Sequence, residues 1–389
     1  MKRVVLAYSG GLDTSVAIKW LKDRGYEVIA YMADVGQEKT TTAAIARAKK
    51  AGASKVVVRD LKKKFATDYI WPALKAGAVY EGRYTLATAL SRPIIAAEQV
   101  RVAHEEKAAA VAHGCTGKGN DQVRFEVTIQ ALDGSLKILA PVREWEFKSR
   151  QDEIDYAHTH NIPIDVTKKN PFSIDKNIWG VSVEAGVLED PDTEPPAESF
   201  QWTRGAEKRR LKERIVSVDF EHGVPVGLNG RKLEPLKLIT ELNRLGAKYG
   251  IGRMDMIENR LVGIKSRETY EAPAATILLQ AHRDLESLVL DRELLHYKEG
   301  IGQKYAELVY YGLWFTPLKK ALDAFIDETQ ERVTGTVRVK LRQYSSGVVG
   351  RRSPFSLYKE SLATYGEKDE FDQRLAKGFI DLWALPYKK

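Results

Sequence analysis

The first 165 residues alternate between short apolar runs and amphipathic helical patterns, and this alternation constrains the fold more than any other feature of the sequence. Residues 4–8 form a continuous apolar run that ends in glycines, as a buried parallel strand does. Helices are predicted over residues 14–23 and 40–50, and further strands over residues 27–33, 55–58, 108–112 and 137–140. This order predicts an α/β fold with a doubly wound parallel sheet, whose ligands lie beyond the carboxyl ends of the strands.

From about residue 166 strand and helix patterns are mixed, which predicts a second domain of the α+β class. Strands are predicted over residues 214–220 and 334–342 and directly after residues 345–347, and helices over residues 235–248 and 272–311. Residues 189–205 contain three prolines and indicate a long connection. The tail, residues 362–389, is polar with a few large apolar side chains, so we expect it to pack on a neighbouring subunit.

Composition and charge limit where the protein is expected to be found and what it is expected to bind. The single cysteine, Cys115, cannot form an intramolecular disulfide, which excludes a secreted disulfide scaffold and leads us to expect a cytoplasmic protein. No apolar run approaches the roughly 18 residues of a membrane span. The net charge is +8, but the basic residues form short, separate clusters without interleaved aromatic residues. We therefore expect small-molecule substrates, and neither nucleic acid nor a membrane as a partner.

The strongest motif is SGGLDTS at residues 9–15, between the first predicted strand and the first predicted helix. Its glycines let backbone N–H groups approach an anion, its hydroxyl residues add donors, and the helix directs its positive end to the same place. A polyphosphate is the expected ligand, with Asp13 orienting it or helping to hold a magnesium ion. The loop matches neither GxxxxGK[ST] nor GxGxxG, so neither a P-loop hydrolase nor a dinucleotide dehydrogenase is supported.

The second motif is HGCTGKGNDQVRFE at residues 113–126, which follows a predicted strand. Asn120 and Asp121 stand where a helix should begin, and Arg124 lies one turn further on and faces the same way. Three glycines allow a ligand to approach closely. The motif thus offers an amide, a carboxylate, a hydroxyl and a guanidinium. This set suits a zwitterionic amino acid, whose carboxylate binds a guanidinium and whose ammonium binds a carboxylate.

These motifs carry a resemblance to a known family. The SGGLDTS loop resembles that of the ATP pyrophosphatases of the adenine nucleotide α-hydrolase-like group, and its threonine resembles the argininosuccinate synthase branch. The second motif closely resembles the same branch. Segments similar to this family continue, in its order, at residues 84–93, 169–173, 182–186, 258–260, 265–271, 306–310 and 356–358.

The resemblance implies a ligase of arginine biosynthesis that joins citrulline to aspartate. ATP would be cleaved to AMP and pyrophosphate through a citrullyl-adenylate, with Mg²⁺ as cofactor, in a homotetramer. It also implies an ATP pyrophosphatase-type nucleotide-binding domain over residues 1–165, an α+β synthetase domain for citrulline and aspartate over residues 166–361, and a C-terminal oligomerisation tail over residues 362–389.

The resemblance assigns residues to each substrate. For ATP they are Ala7, Tyr8, Ser9, Gly10, Gly11, Leu12, Asp13, Thr14, Ser15, Ala33 and Gly114. For aspartate they are Thr116, Asn120 and Asp121, and for citrulline Tyr84, Asn120, Arg124, Ser173, Ser182, Glu258 and Tyr270, to which we add Thr88 as our own hypothesis. We expect Asp121, Asp13 and Ser9 to act in catalysis. The histidines show no metal-ligand spacing, so no metal site built from protein ligands alone is predicted.

One position departs from the family pattern. The family often has a hydroxyl residue at the position of Ala89, and we hypothesise that Thr88 or a water replaces it.

Two alternatives stay open at this point. One is a tRNA-modifying ATP pyrophosphatase of the same fold, which should carry an RNA-binding module or a pair of catalytic cysteines. Cys115 has no partner cysteine in the sequence. Packing is the better explanation for Cys115, and also for His113. A nucleotide sensor that performs no chemistry would not need Glu258 or the amide, carboxylate and guanidinium of the second motif.

Overall fold

The first half of the chain forms a five-stranded parallel sheet in the computed structural model, which describes residues 2–37, 42–163, 172–208 and 210–389. Its strands are β1 (Lys2–Ala7), β2 (Tyr26–Asp34), β3 (Lys55–Asp60), β4 (Ala110–Ala112) and β5 (Lys137–Leu139). They lie in the order β3-β2-β1-β4-β5, and each neighbouring pair is parallel. The five strands predicted from the apolar runs are therefore confirmed.

Helices cover both faces of this sheet. They are α1 (Leu12–Asp23), α2 (Thr42–Ala51), α3 (Lys62–Phe65), α4 (Trp71–Ala76), α5 (Ala87–Glu105), α6 (Asp121–Leu132), α7 (Pro141–Glu144) and α8 (Arg150–Thr159), with a π-helical turn over Ala66–Ile70. Val4 and Leu6 of β1 pack in the core that includes α1 and α8, whereas Val5 packs in the core that includes α5. This alternation confirms the doubly wound α/β fold. Residues 40 and 41 of the second predicted helix lie outside the described residues.

The second half contains two antiparallel sheets. Its strands are β6 (Ser173–Asn177), β7 (Gly180–Glu184), β8 (Arg214–Glu221), β9 (Val224–Leu228), β10 (Arg231–Lys232), β11 (Arg253–Asn259), β12 (Lys265–Glu271), β13 (Gly335–Arg342) and β14 (Ser345–Arg352). One sheet has the order β10-β9-β8-β13-β14 and the other β11-β12-β7-β6. The first contains the predicted strands, whereas the second was not predicted.

The helices of this half are α9 (Pro235–Lys248), α10 (Pro273–Val289), α11 (Arg292–Tyr310), α12 (Pro317–Thr329), α13 (Glu360–Ala363) and α14 (Leu375–Trp383). The α+β class is thus confirmed. The second strand of this hairpin was predicted to begin after residue 347, but β14 already begins at Ser345, which pairs with Arg342. The hairpin turns instead at Tyr344, whose φ of 60° lies in the left-handed region.

The four-stranded sheet packs on helix α5, and this contact places its residues beside the parallel sheet. Nδ2 of Asn177 donates to the carbonyl of Ala87 at 2.8 Å, and the indole of Trp179 donates to the carbonyl of Thr85 at 3.0 Å. A side chain at Gly180 would lie 2.9 Å from the carbonyl of Glu271. The fit therefore needs glycine at this position.

The three-part division of the chain stays a prediction, and its first boundary falls within residues 164–171, outside the described residues. Helix α14 in the tail exposes its apolar residues; Leu375, for example, is 69% exposed. Among the described helices, none is both long and apolar enough to span a membrane.

Candidate active site

The SGGLDTS loop leads from the carboxyl end of β1 into the first turn of α1. Gly10 has a φ of 84°, a conformation that favours glycine, and Gly11 stands directly before the helix. Oγ of Ser9 lies 3.1 Å from Oγ1 of Thr14 and accepts the N–H of Gly11 at 3.3 Å. The positive end of α1 and two hydroxyls therefore lie together at the sheet edge, which is the arrangement that binds phosphate.

A cleft of about 780 Å³ begins at this loop and extends to the four-stranded sheet. Most residues predicted from the sequence line it: Ala7, Tyr8, Ser9, Asp13, Thr14, Ala33, Tyr84, Thr88, Gly114, Thr116, Asn120, Asp121, Arg124, Ser173, Ser182, Glu258 and Tyr270. The remaining four, Gly10, Gly11, Leu12 and Ser15, belong to the loop and its helix but do not line the cleft. Leu12 packs in the sheet core, and Ser15 is buried with its hydroxyl donating to the carbonyl of Gly11 at 2.7 Å.

Asp121, the first residue of α6, lies between two arginines. Its Oδ1 accepts from Nη1 of Arg124 at 2.7 Å, and its Oδ2 accepts from Nε of Arg92 at 2.9 Å. Burial alone would raise the pKa of Asp121, but the charges and hydrogen bonds of Arg92 and Arg124 outweigh it and hold the pKa below its ordinary value. Arg92 also pairs with Asp175 of β6. The sequence did not single out Arg92, although it lies within a family-like segment.

Glu258 of β11 is 2% exposed and accepts hydrogen bonds from two tyrosines. Tyr270 donates to its Oε2 and Tyr310 to its Oε1, both at 2.6 Å. The Tyr270 ring stacks on Tyr84, with ring centres 4.2 Å apart. The cleft therefore contains a buried carboxylate in an aromatic wall at the end opposite the phosphate loop, which is a suitable site for an ammonium group.

Three further charged residues, which the sequence did not single out individually, line the cleft near Glu258. Arg260 pairs with Glu184, and its Nη2 lies 3.4 Å from Oε1 of Glu268. Burial, together with the nearby Glu258 and Glu184 carboxylates, raises the pKa of Glu268 to about 8. The raised pKa favours the protonated form of the Glu268 carboxyl. No local pattern marks it, because its neighbours come from other strands.

Asp13 in the phosphate loop has a carboxyl neighbour, Glu153 of α8. Burial, the Asp13 charge and a hydrogen bond between the two carboxyls raise the pKa of Glu153 to about 8. Oε2 of Glu153 is buried and has no hydrogen-bond partner within the described ranges of the chain. The described residues contain no group of three or more His, Cys, Asp or Glu side chains that could hold a metal ion. A cation here would therefore have at most two carboxyl ligands from the described part of the chain.

Comparisons with known proteins cover both halves of the chain. A family model described as the arginosuccinate synthase N-terminal HUP domain matches residues 3–163, and one described as the C-terminal domain matches residues 172–389. The argininosuccinate synthases of Chlorobium luteolum and Aquifex aeolicus are each 56% identical to this chain, which they cover completely, and 97% of each relative is covered. The chain belongs to the argininosuccinate synthase family. Membership makes it an ATP-dependent ligase of arginine biosynthesis that forms argininosuccinate.

A third relative, the argininosuccinate synthase of Carboxydothermus hydrogenoformans, is 55% identical over 388 residues, with 100% of this chain and 97% of the relative covered. Among solved structures, a 4-thiouridine synthetase–RNA complex with bound ATP covers 41% of this chain and 41% of its own chain at 16% identity, with a TM-score of 0.31. That likeness is too low to support an argument. The full-length match to argininosuccinate synthases favours the ligase over the tRNA-modifying enzyme and the sensor.

The neighbourhood of Cys115 also favours packing over nucleophilic chemistry in this family member. Burial raises the pKa of the Cys115 thiol, with the Asp121 charge acting in the same direction, so the thiol stays protonated. His113 is 1% exposed, with Nε2 3.0 Å from Glu126 and Nδ1 accepting the N–H of Cys115 at 3.3 Å. Both ring nitrogens of His113 are therefore engaged in local structure.

Proposed function

We propose that ATP, citrulline and aspartate bind together in the cleft that begins at the phosphate loop. The observation that carries this proposal is the continuity of the cleft, which joins the phosphate loop to Asp121 and then to Glu258. The ureido oxygen of citrulline attacks the α-phosphorus of ATP, and pyrophosphate leaves. The amine of aspartate then attacks the ureido carbon, and AMP leaves. The protein contributes mainly by placing the reactants and neutralising charge.

ATP occupies the end of the cleft at β1. The loop from Ala7 to Ser15 holds its phosphates, Ala33 near the end of β2 contacts the adenine, and Gly114 just after β4 lies close to the nucleotide. Support comes from the carboxyl ends of three neighbouring parallel strands, which meet at one edge of the sheet. Ser9 donates a hydrogen bond from its hydroxyl to the phosphates, and Asp13 orients the same phosphates.

Citrulline lies between the two halves of the chain. Its ammonium contacts Glu258 beside Tyr270 and Tyr84, and its carboxylate contacts Arg124. The hydroxyls of Ser173, Ser182 and Thr88 and the amide of Asn120 complete the site, and all of these residues line the same cleft. The opposite charges of Arg124 and Glu258 match the two ends of an amino acid.

Aspartate contacts Thr116, Asn120 and Asp121. Because the arginines keep the pKa of Asp121 low, its carboxylate stays charged and orients the aspartate amine. This role is electrostatic, and it requires the two arginines to hold the carboxylate in place.

We also propose that Mg²⁺ accompanies ATP, and the residues present fit this cation. Mg²⁺ prefers oxygen ligands and is usually held by one or two carboxylates together with substrate phosphates. Asp13, which lines the cleft, and its carboxyl neighbour Glu153 would supply such a pair, because a bound cation would displace the proton that the raised pKa of Glu153 favours. When bound, the ion would neutralise phosphate charge, and Asp13 would help to hold it.

The reaction is tested by measuring AMP and product from ATP, citrulline and aspartate, with each amino acid omitted in turn. We expect AMP and a product of argininosuccinate mass only when both amino acids are present. Bound ATP without AMP in any mixture would mean that the phosphate loop is assigned correctly and the amino-acid sites are not. Tight, salt-dependent tRNA binding would then revive the tRNA-modifying alternative.

Thr88→Ala should raise the KM for citrulline about fivefold, as expected for the loss of one hydrogen bond of about 1 kcal/mol. Thr88 lines the cleft with its Oγ1 3.2 Å from Oγ of Ser182, whereas Ala89 is fully buried in the core. Steady-state kinetics measure the change. Thr276→Ala is the control, because that hydroxyl donates to the carbonyl of Ala272 directly before α10 and does not line the cleft. An unchanged KM in Thr88→Ala would mean that Thr88 does not replace the missing hydroxyl.

We propose a cytoplasmic homotetramer in which the tail packs on another subunit. Phe379 and Trp383 of α14 are 62% and 66% exposed, and such an apolar helix face needs a partner. Deleting residues 362–389 should reduce the mass of the particle measured by light scattering.

A matched pair of variants separates the apolar face of α14 from its polar face. Phe379→Ala with Trp383→Ala should weaken the tetramer, whereas Lys377→Ala with Asp381→Ala, which removes an exposed ion pair, should not. A tetramer that survives the deletion would refute this role of the tail.

A further inference from the structure

Tyr310 lies behind the cleft rather than in it. It is the last residue of α11 and is fully buried. Its hydroxyl donates to Oε1 of Glu258 at 2.6 Å and accepts from Nδ2 of Asn120 at 2.8 Å. One hydroxyl thus joins a side chain of the first half of the chain to a side chain of the second half.

The same residue also contacts Arg124. The carbonyl of Tyr310 accepts Nε of Arg124 at 2.9 Å, and the guanidinium carbon lies 4.8 Å from the centre of the Tyr310 ring. All three contacted side chains, Asn120, Arg124 and Glu258, are at least nine-tenths buried and line the cleft. Tyr310 therefore touches each of them from the side that a substrate does not occupy.

We propose that Tyr310 is a positioning residue, whose hydroxyl and carbonyl fix Asn120, Arg124 and Glu258 relative to one another so that all three contact the same citrulline molecule. This inference rests on the proposed function. It concerns how the site is held together across two parts of the fold, and Tyr310 itself touches no substrate.

The direction of the hydrogen-bond chain gives the tyrosine its role. Oδ1 of Asn120 accepts the backbone N–H of Leu261 at 2.9 Å, so its amide turns the NH₂ group toward Tyr310. The hydroxyl accepts there and can only donate to Glu258, which thereby remains an acceptor. Burial and the Glu258 charge raise the pKa of Tyr310, so the hydroxyl keeps its proton.

The ring of Tyr310 is held independently of its hydroxyl. It stacks on Tyr80, with ring centres 3.7 Å apart and planes 7° from parallel, and it meets the edge of Tyr84 at 6.3 Å. Tyr310→Phe therefore keeps the ring, its stacking and the carbonyl contact to Arg124. It removes only the hydroxyl between Asn120 and Glu258.

Tyr310→Phe should lower kcat/KM for citrulline about tenfold to a hundredfold, since two buried polar groups lose a partner. The KM for ATP should not change. Tyr305→Phe is the matched control: Tyr305 lies on the same helix, is fully buried and donates at 2.8 Å to Asp323, which, unlike Asn120 and Glu258, does not line the cleft. Equal citrulline kinetics in Tyr310→Phe and wild type would overturn the inference.

A double-mutant cycle provides a readout that general destabilisation would not reproduce. In the double variant Tyr310→Phe with Asn120→Ala, kcat/KM for citrulline should fall by less than the product of the two single-variant factors. The reason is that both substitutions break the same chain of hydrogen bonds. In the double variant Tyr305→Phe with Asn120→Ala, the two single-variant factors on kcat/KM should simply multiply. Multiplicative effects in both pairs would overturn the inference.

The activity of the wild-type protein distinguishes a failure of the proposed function from a failure of the inference about Tyr310. Without AMP formation from citrulline and aspartate in the wild type, the proposed function fails and this inference fails with it. With an active wild type and an unaffected Tyr310→Phe variant, only the inference fails. Melting temperatures of both tyrosine variants show whether each remains folded.

Discussion

Replacing Asp121 with Asn should lower kcat for argininosuccinate formation by about a hundredfold or more and leave the affinity for ATP unchanged. The two carboxylate oxygens of Asp121 accept from different arginines, Arg124 and Arg92. Asparagine has nearly the same size but no charge and only one acceptor oxygen. One arginine then loses its acceptor on residue 121, and the aspartate amine loses the charge that orients it.

The magnitude follows from the kind of bond that is lost. Hydrogen bonds to charged groups contribute about 1.5–3 kcal/mol, and about 2.7 kcal/mol corresponds to a hundredfold in rate. Calorimetry measures ATP binding, and AMP release at saturating aspartate measures turnover. Asp133→Asn is the control, because Asp133 lies just beyond the same helix and pairs with the exposed His104. Normal turnover of Asp121→Asn would remove Asp121 from the mechanism.

Local sequence patterns were sufficient for one half of the site. The central strands β1, β2 and β4 each contain consecutive buried residues, so they appear as continuous apolar runs. The loops that follow them lie at one edge of the sheet by topology, which places Ser9 and Asp121 in one cleft. Arg124 could be placed with Asp121 because residues three apart share a helix face.

The other half depends on pairing between distant residues, which local patterns do not show. Tyr270 pairs with Ser182 across two strands about ninety residues apart, and Glu258 lies on a third strand. These strands carry polar residues toward the cleft, so they lack a clear apolar alternation. Only the family resemblance indicated Glu258 and Tyr270 in the sequence, whereas Arg92 and Tyr310 needed the structure.

Gly114→Ala should raise the KM for ATP about tenfold to a hundredfold. A Cβ at this position would lie 2.7 Å from Cγ2 of Thr14, closer than real Cβ contacts, so either the phosphate loop or the end of β4 must move. Overpacking of this kind costs about 1–3 kcal/mol. If the nucleotide lies against Gly114, as proposed, the strain falls on the ATP site. Initial rates over a range of ATP concentrations measure the effect.

Gly117→Ala is the matched control for this substitution. Gly117 lies in the same loop as Gly114, but its Cβ would meet only Arg143 at 3.9 Å, an ordinary contact, so the KM for ATP should not change. Thr14→Ser removes the methyl group that a side chain at 114 would meet and keeps the hydroxyl that lies 3.1 Å from Ser9. The double variant Gly114→Ala with Thr14→Ser should therefore recover most of the affinity for ATP. A double variant no better than Gly114→Ala alone would show that the methyl contact is not the cause, because Thr14→Ser removes that contact without removing the hydroxyl.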